Sequence, residues 1–491
     1  MRAPFAPRIR SVLLLVAALF LSPFLPGSST TSAFAAPLPL DEYLSQVRSD
    51  NPGVRAADET SRGALLRSRE ARLVFAPQLS ATAQVLSDAR PQLNSFAPEK
   101  TTGSSFTFGL SQQFAFGAQA RLGYQLSHVR LHVNPAATGF YNTTDYFDAI
   151  PSLELAVPLL RNFGGSESRA QQELVEAAAL ATHYGEAHHA RMLLLEAELA
   201  YWRLAAGREV VEVQERTLSR TKFLREWAAK RVRFNLGDRS DLLQADAAHR
   251  FRELELQAAR DEERAAEQGF NSIRGREPGA KVEPLAPLAQ ARAEIAPEWK
   301  TLSEPPRPRE DLLASEQARR LSSGQAEQAA ERNRANLELF GQAQLNGRSG
   351  TASDALSSGF SLDKRTASVG VRLVSSLNFG AKSDARDGAE REQAAASMAF
   401  ERRRFEQKQE FLDLRSRLAE AQARLGLARE LEKLQEEKVT HERNRLQRGR
   451  STTFQLIQFE ADYSTAQLAR LRAQFEVIQL VARLNTFGAH P

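Results

Sequence analysis

The chain reads as mostly α with β, laid out as two tandem structural repeats. Three observations predict this. Residues 165–235 contain hardly a helix breaker, and a second such stretch covers 381–447. At a rise of 1.5 Å per residue, each would be about 100 Å long, several times the diameter of a compact domain. Short segments of strict apolar–polar alternation precede both stretches, as half-buried strands require. Finally, Asn378-Phe379-Gly380 opens the second stretch as Asn162-Phe163-Gly164 opens the first, at an offset of 216 residues. A constant offset is the mark of a repeat.

The first 35 residues have the plan of a secretory signal. Arg2, Arg8 and Arg10 precede the apolar run Val12 to Leu21, and Ala33-Phe34-Ala35 offers a small-residue cleavage site. Three positive charges of the net +5 lie there, so the mature chain carries near +2, too little to point to nucleic acid. The 491 residues include no cysteine, which excludes disulfides and thiolate metal sites. Beyond the signal no run of about 18 apolar residues occurs, so any membrane contact is peripheral or made by β-strands.

The first repeat covers residues 36–273. Leu40-Asp41-Glu42 starts a helical segment, Asn51-Pro52-Gly53 interrupts it and Pro77 stops it. A strand follows at 79–86, with Leu79, Ala81, Ala83 and Val85 on one face and Ser80, Thr82 and Gln84 on the other. An extra hairpin spans 105–133, turning near Phe116-Gly117, and another alternating strand covers 152–160. Short turns at one end and long polar loops at the other suit an outer-membrane barrel wall. A soluble β-sandwich fits the same pattern. The long helix 165–235 carries the seam Leu195, Leu199, Trp202, Ala206, Val210 and Val213, spaced by three and four. After Leu236-Gly237-Asp238 a return helix covers 240–273.

Residues 274–308 contain Pro278, Pro284, Pro287, Pro297, Pro305, Pro306 and Pro308 and read as a hinge-like linker. The second repeat, 309–491, restates the first: a helix at 309–334, strands at 336–346 and 367–376 separated by a polar loop, a long helix at 381–447 and a return helix at 453–487. The seam Phe411, Leu414, Leu418, Ala421, Leu425 and Ala428 alternates three and four, as a coiled coil requires. Two short helices placed end to end equal one long one. Each half is therefore expected to be a two-stave hairpin with β-structure at one end and a tight turn at the other.

This order, given twice, resembles the TolC-like outer-membrane efflux proteins across essentially the whole mature chain. The residues that carry the match are Leu40-Asp41-Glu42 with Asn51-Pro52, Ala76-Pro77-Gln78-Leu79, Pro158-Leu159-Leu160-Arg161-Asn162-Phe163-Gly164, Leu236-Gly237 with Ser240-Asp241-Leu242-Leu243-Gln244-Ala245, and Arg448-Gly449-Arg450-Ser451-Thr452. The resemblance implies a homotrimer whose strands close one outer-membrane β-barrel in lipid, continued by a periplasmic α-helical barrel. It implies a passive exit channel of a tripartite efflux or type I secretion system, fed by an inner-membrane transporter through a periplasmic adaptor. Leu236, Gly237 and Asp238, with Arg448, Gly449 and Arg450, become the periplasmic tips where the adaptor docks. Asp241, Gln455 and Gln458 become candidates for the pore entrance; family members often carry two acidic residues where the two glutamines stand. Asn162, Phe163 and Gly164, with Asn378, Phe379 and Gly380, become the junctions of barrel and helices.

Each site has a plainer alternative. Gly237 and Gly449 can be simple helix C-caps, and Asp241 can be a helix N-terminal charge favoured by the macrodipole. His183, His188 and His189 lack carboxylate or cysteine partners at ligand spacing and read as a solvated helix face. No nucleophile elbow, phosphate loop, HExxH motif or carboxylate pair is visible, so no catalytic, cofactor or metal residue is assigned. The reading from another functional class is a non-conducting periplasmic coiled-coil scaffold or surface adhesin.

Overall fold

The computed structural model describes residues 37–91, 94, 97–291 and 297–488; the signal segment 1–35 lies outside the described residues. In chain order the elements are α1 (Leu40–Asp50), α2 (Pro52–Arg67), β1 (Gln78–Asp88), β2 (Lys100–Gln113), β3 (Gln119–His132), β4 (Asp145–Pro158), α3 (Ser166–Arg233) and α4 (Arg239–Ile273). Then come α5 (Glu310–Arg332), β5 (Asn336–Leu345), β6 (Gly347–Ser349), α6 (Ala352–Ser358), β7 (Arg365–Val374), α7 (Phe379–Gln447) and α8 (Thr453–Asn485). The fold is mostly helical with one antiparallel sheet.

The helices form four parallel staves. The 68-residue α3 packs against α2 and α5 over its first half and against α4 and α8 over its second. The 69-residue α7 packs against α5 and then α8. Side by side the staves are thus α2/α4, α3, α5/α8 and α7. Asn51 separates α1 from α2 by capping: its side-chain oxygen accepts from the amides of Gly53 and Val54, while its amide donates to the Ile273 carbonyl at 2.7 Å.

The seam on α7 is buried as spaced, Phe411 through Leu425 packing on Val477, Val481 and Leu484 of α8. On α3 a single seam is too narrow a reading. Trp202 and Val213 are buried, but so are Ala197, Tyr201, Leu204 and Ala205, because α3 has neighbours on two sides. The proline-rich stretch is not a free hinge. Val282 and Leu288 are buried in the largest core cluster, where Tyr43 stacks on Phe270 with ring centroids 4.3 Å apart. The Tyr201 hydroxyl donates to the Leu38 carbonyl at 2.6 Å and accepts from the Ala286 amide at 3.0 Å. Arg274, only 1% exposed, pairs with Glu283 at 3.0 Å. The stretch therefore straps the middle of α3, and its prolines set extended backbone rather than looseness.

The sheet has strand order β1-β2-β3-β4-β5-β7, every pair antiparallel, with β6 added to the upper part of β4. Registers place one apolar row across the whole sheet: Leu79 faces Leu110, Leu110 faces Leu122, Leu122 faces Leu153 and Leu153 faces Ala343. Further rows bring Ala83 to Phe106 and Leu126, and Val157 to Leu339 and Val371. Because side chains alternate, the opposite face carries Thr82, Thr107, Gln125, Ser152, Gln342 and Ser368. The loop after β5, which the sequence presents as polar and irregular, folds into β6 and α6. Thr351 caps α6 by accepting from the Asp354 amide, and the helix covers Ala149 while Phe360 stacks near Tyr124.

Candidate functional site

Two places join the layers or end them. At the first, the chain leaves β4 and enters α3 through three left-handed residues, Asn162 (φ 59°), Gly164 (φ 65°) and Gly165 (φ 83°). Asn tolerates this region because its short side chain can bond locally. Here Asn162 Nδ2 donates to Ser168 Oγ at 2.9 Å and its Oδ1 accepts from the Ser168 amide at 3.0 Å. The Asn162 amide donates to Glu331 at the end of α5, and Arg161 grips Glu167 through two hydrogen bonds of 2.7 and 2.6 Å. Phe163 is exposed.

The β2–β3 turn sits directly on this junction. A Cβ on Gly165 would lie 1.9 Å from the Ala115 carbonyl oxygen, and one on Gly117 (φ 95°) would lie 2.4 Å from the Asn162 oxygen. The contact is backbone on backbone, and only glycine permits it. Arg169 adds bonds to the Gly164 carbonyl at 2.6 Å and the Ala115 carbonyl at 3.3 Å. The corresponding passage from β7 into α7 is barer. Asn378 caps α7 by accepting from the Ala381 amide, while Leu377 and Phe379 are exposed and nothing but the Asn378 side chain comes within 4 Å of a Cβ on Gly380.

At the far end, both long helices close in the same way. The Asn235 amide donates to the Val232 carbonyl and the Leu236 amide to the Arg231 carbonyl; the Gly449 amide donates to Leu446 and the Arg450 amide to Arg445. These are paired Schellman closures, and the left-handed residues are Asn235 (φ 58°) and Gly449 (φ 70°). Gly237 does not supply the positive φ that its place beside the turn suggests. Its lack of a side chain serves another purpose, since a Cβ there would lie 3.0 Å from Arg231 Cβ.

Arg231, which belongs to no sequence motif, organises the first tip. Its guanidinium donates to the Leu236 carbonyl at 2.8 and 3.2 Å and stacks on Trp227. Arg445 does the same at the second tip, donating to the Arg450 carbonyl at 3.2 Å. The legible signal was an arginine recurring seven residues before each helix cap, Asp238 and Thr452. Asp238 accepts from the Ser240 amide and Thr452 from the Gln455 amide, which puts Asp241 and Gln455 at matching places in the first turns of α4 and α8. Asp241 is half-buried; Gln455 and Gln458 are exposed, the latter donating to Asp462. Phe234, Leu236 and Phe454 leave apolar surface bare among Arg233, Arg239, Arg448 and Arg450.

The histidines on α3 differ from the solvated face expected of them. His183 contacts the Ser61 hydroxyl of α2 at 2.9 Å, and His188 is packed near Arg309 and Asp311, its pKa lowered chiefly by burial. His189 is exposed. No helix among the described residues is long and apolar enough to cross a membrane.

No family model and no curated protein matches this sequence. The backbone does match solved structures. VceC, an outer membrane protein of Vibrio cholerae, aligns with a TM-score of 0.64 at 15% identity, covering 91% of this chain and 95% of VceC. CusC, studied for folding and transmembrane channel formation, aligns at 0.63 and 13% identity over 95% and 96% of the two chains. The MtrE outer membrane channel of Neisseria gonorrhoeae, in its open state, aligns at 0.62 and 17% identity over 91% and 88%. This chain has the outer-membrane channel fold. Within that fold, the sheet and the tips lie at opposite ends of the staves.

Proposed function

We propose that the chain is one protomer of a trimeric outer-membrane exit channel, extending into the periplasm as a helical duct and built from two tandem repeats. In this reading three sheets close one barrel, and twelve staves form the duct beneath it. The supporting observation is the apolar row that crosses all six strands while the opposite face is mainly polar. An isolated sheet of this kind would leave backbone groups unpaired along β1 and β7 in lipid, where each costs several kcal/mol, so the edges must close on other copies. A periplasmic scaffold or adhesin has no use for such a band.

The duct is passive. Its chemistry comes from partners: a periplasmic adaptor on the tips, and an inner-membrane transporter of a tripartite efflux or type I secretion system. The exposed phenylalanines and arginines at the tips suit an adaptor surface with apolar pockets and acidic rims. Planar-bilayer recording of the purified trimer tests the reading. Stepwise conductance is expected, rising when Arg231→Ala and Arg445→Ala loosen the tips. A trimer that inserts and never conducts, even with both substitutions, overturns it.

A further inference from the structure

The hairpin β2–β3 is an insertion between β1 and β4, and its placement decides how wide the exit is. Without it, β1 would pair with β4 and the chain would contribute four strands to a wall. With it, six strands run in one unbroken antiparallel order. The hairpin is paired along most of its length on both sides, from Gln78↔Ser111 to Asp88↔Thr101 and from Gln119↔Ala156 to Arg130↔Asp145. Its faces are in phase with the rest. Phe106 and Phe108 continue the apolar rows of Ala83 and Ala81, and Thr107 continues the polar row of Thr82.

We infer that the hairpin is part of the barrel wall and that three copies close an eighteen-stranded barrel; this rests on the channel reading above. Direction permits closure, and arc length decides the count. β1 runs away from the helices and β7 runs back toward them, so the β1 edge of one copy meets the β7 edge of the next in antiparallel sense, as an even strand count per chain requires. Arc length distinguishes six strands from four. Four staves at about 10 Å spacing occupy about 40 Å of circumference per chain. Six strands about 4.8 Å apart, tilted about 40°, occupy about 38 Å; four would occupy about 25 Å and need a tilt near 60° to match. The inserted hairpin lets wall and duct share one radius at ordinary tilt. That backbone radius is about 18 Å, against about 12 Å for twelve strands at the same tilt. The exit is therefore a wide, water-filled mouth that admits bulky solutes and selects little by size.

The cysteine-free chain suits a labelling test. In the full-length protein in proteoliposomes, Thr107→Cys and Phe108→Cys on β2 are compared with Ser152→Cys and Leu155→Cys on β4. A charged, water-soluble maleimide is expected to label Thr107→Cys and Ser152→Cys at least tenfold faster than Phe108→Cys and Leu155→Cys. If Leu155→Cys is protected and Phe108→Cys is not, the hairpin stands outside the wall and the inference fails while the channel stands. If neither is protected, the channel reading falls with it. A second measurement checks closure: polyethylene glycols added from the loop side should enter the wild-type mouth up to the size set by the wider radius. A cut-off matching the narrower one overturns the eighteen-strand count.

Discussion

Arg220 of α3 donates to Glu460 of α8 at 2.6 Å, and the carboxylate is only 2% exposed. Arg443 of α7 reaches the other oxygen at 2.7 Å, so one buried acid holds three staves together. Glu460→Ala leaves two guanidinium groups facing each other without their counter-charge. The expected loss is about 3 kcal/mol, since removing one partner of a buried pair strands the rest. Thermal melts followed by far-UV circular dichroism read it, and a melting temperature within one degree of wild type counts against the assignment.

Gly165→Ala places a methyl group 1.9 Å from the Ala115 oxygen, on a backbone at φ 83°. Gly164→Ala has the same positive φ but open space around it. The first should abolish heat-resistant trimer on gels; the second should cost only the left-handed strain of about 1 kcal/mol. Equal behaviour of the two would remove the turn-on-junction contact from the account.

At the tips, Gly449→Pro forces φ near −65° where the chain needs 70° and deletes the amide that donates to Leu446. Adaptor binding should fall at least tenfold with the trimer intact. Gly237→Ala acts more gently, by pushing Arg231 away from the Leu236 carbonyl. Faster hydrogen exchange at the Leu236 amide is its expected signature, and unchanged exchange would show that Arg231 does not brace the turn.

Glu198 lies beside Trp202 and Asp41, and burial raises its pKa to about 7 from an ordinary 4.5. The folded chain thus holds a proton that the unfolded chain releases, so stability falls as pH rises from about 4.5 to about 7. Glu198→Gln should remove this slope and stabilise the protein by about 3 kcal/mol at pH 8. A parallel pH profile for wild type and variant would refute the buried-acid origin.

Four charge pairs lie on the sheet: Arg121 with Glu154 at 3.6 Å, Arg372 with Glu338 at 2.6 Å, Arg348 with Asp148 at 2.6 Å and Arg130 with Asp145 at 2.8 Å. In bi-ionic recordings the channel should discriminate weakly between cations and anions. Arg372→Ala leaves Glu338 uncompensated and should shift the reversal potential toward cation preference; a shift toward anions is the contrary result.

The class of the fold was legible because helix and strand periodicities are local. What escaped were features set between distant segments. Strand order could not be read, since Phe106 and Phe108 alternate identically whether they face lipid or solvent, and only pairing with β1 and β4 distinguishes the two. The strap across α3 escaped because prolines announce a break in helix but say nothing about where Val282 and Leu288 are buried. At the first tip, composition drew attention to Gly237, while the left-handed residue is Asn235, the next most tolerant type. Tyr201, Leu204 and Ala205 fall outside the α3 seam because one seam serves one neighbour, and α3 has two sides to fill.

The unequal junctions have a mechanical consequence. α3 is keyed to the sheet by backbone contact at Gly117 and Gly165 and by the grip of Arg161 on Glu167, whereas α7 follows β7 through the Asn378 cap and hydrogen bonds among Ser375, Ser376 and Lys382 of the same passage. Torque applied at the far end would reach the sheet more directly along α3 than along α7. A swing of α7 about Asn378 would have to break the bond of Arg443 to Glu460, the acid that Arg220 of α3 also holds, so the two long helices are free relative to each other only near the sheet.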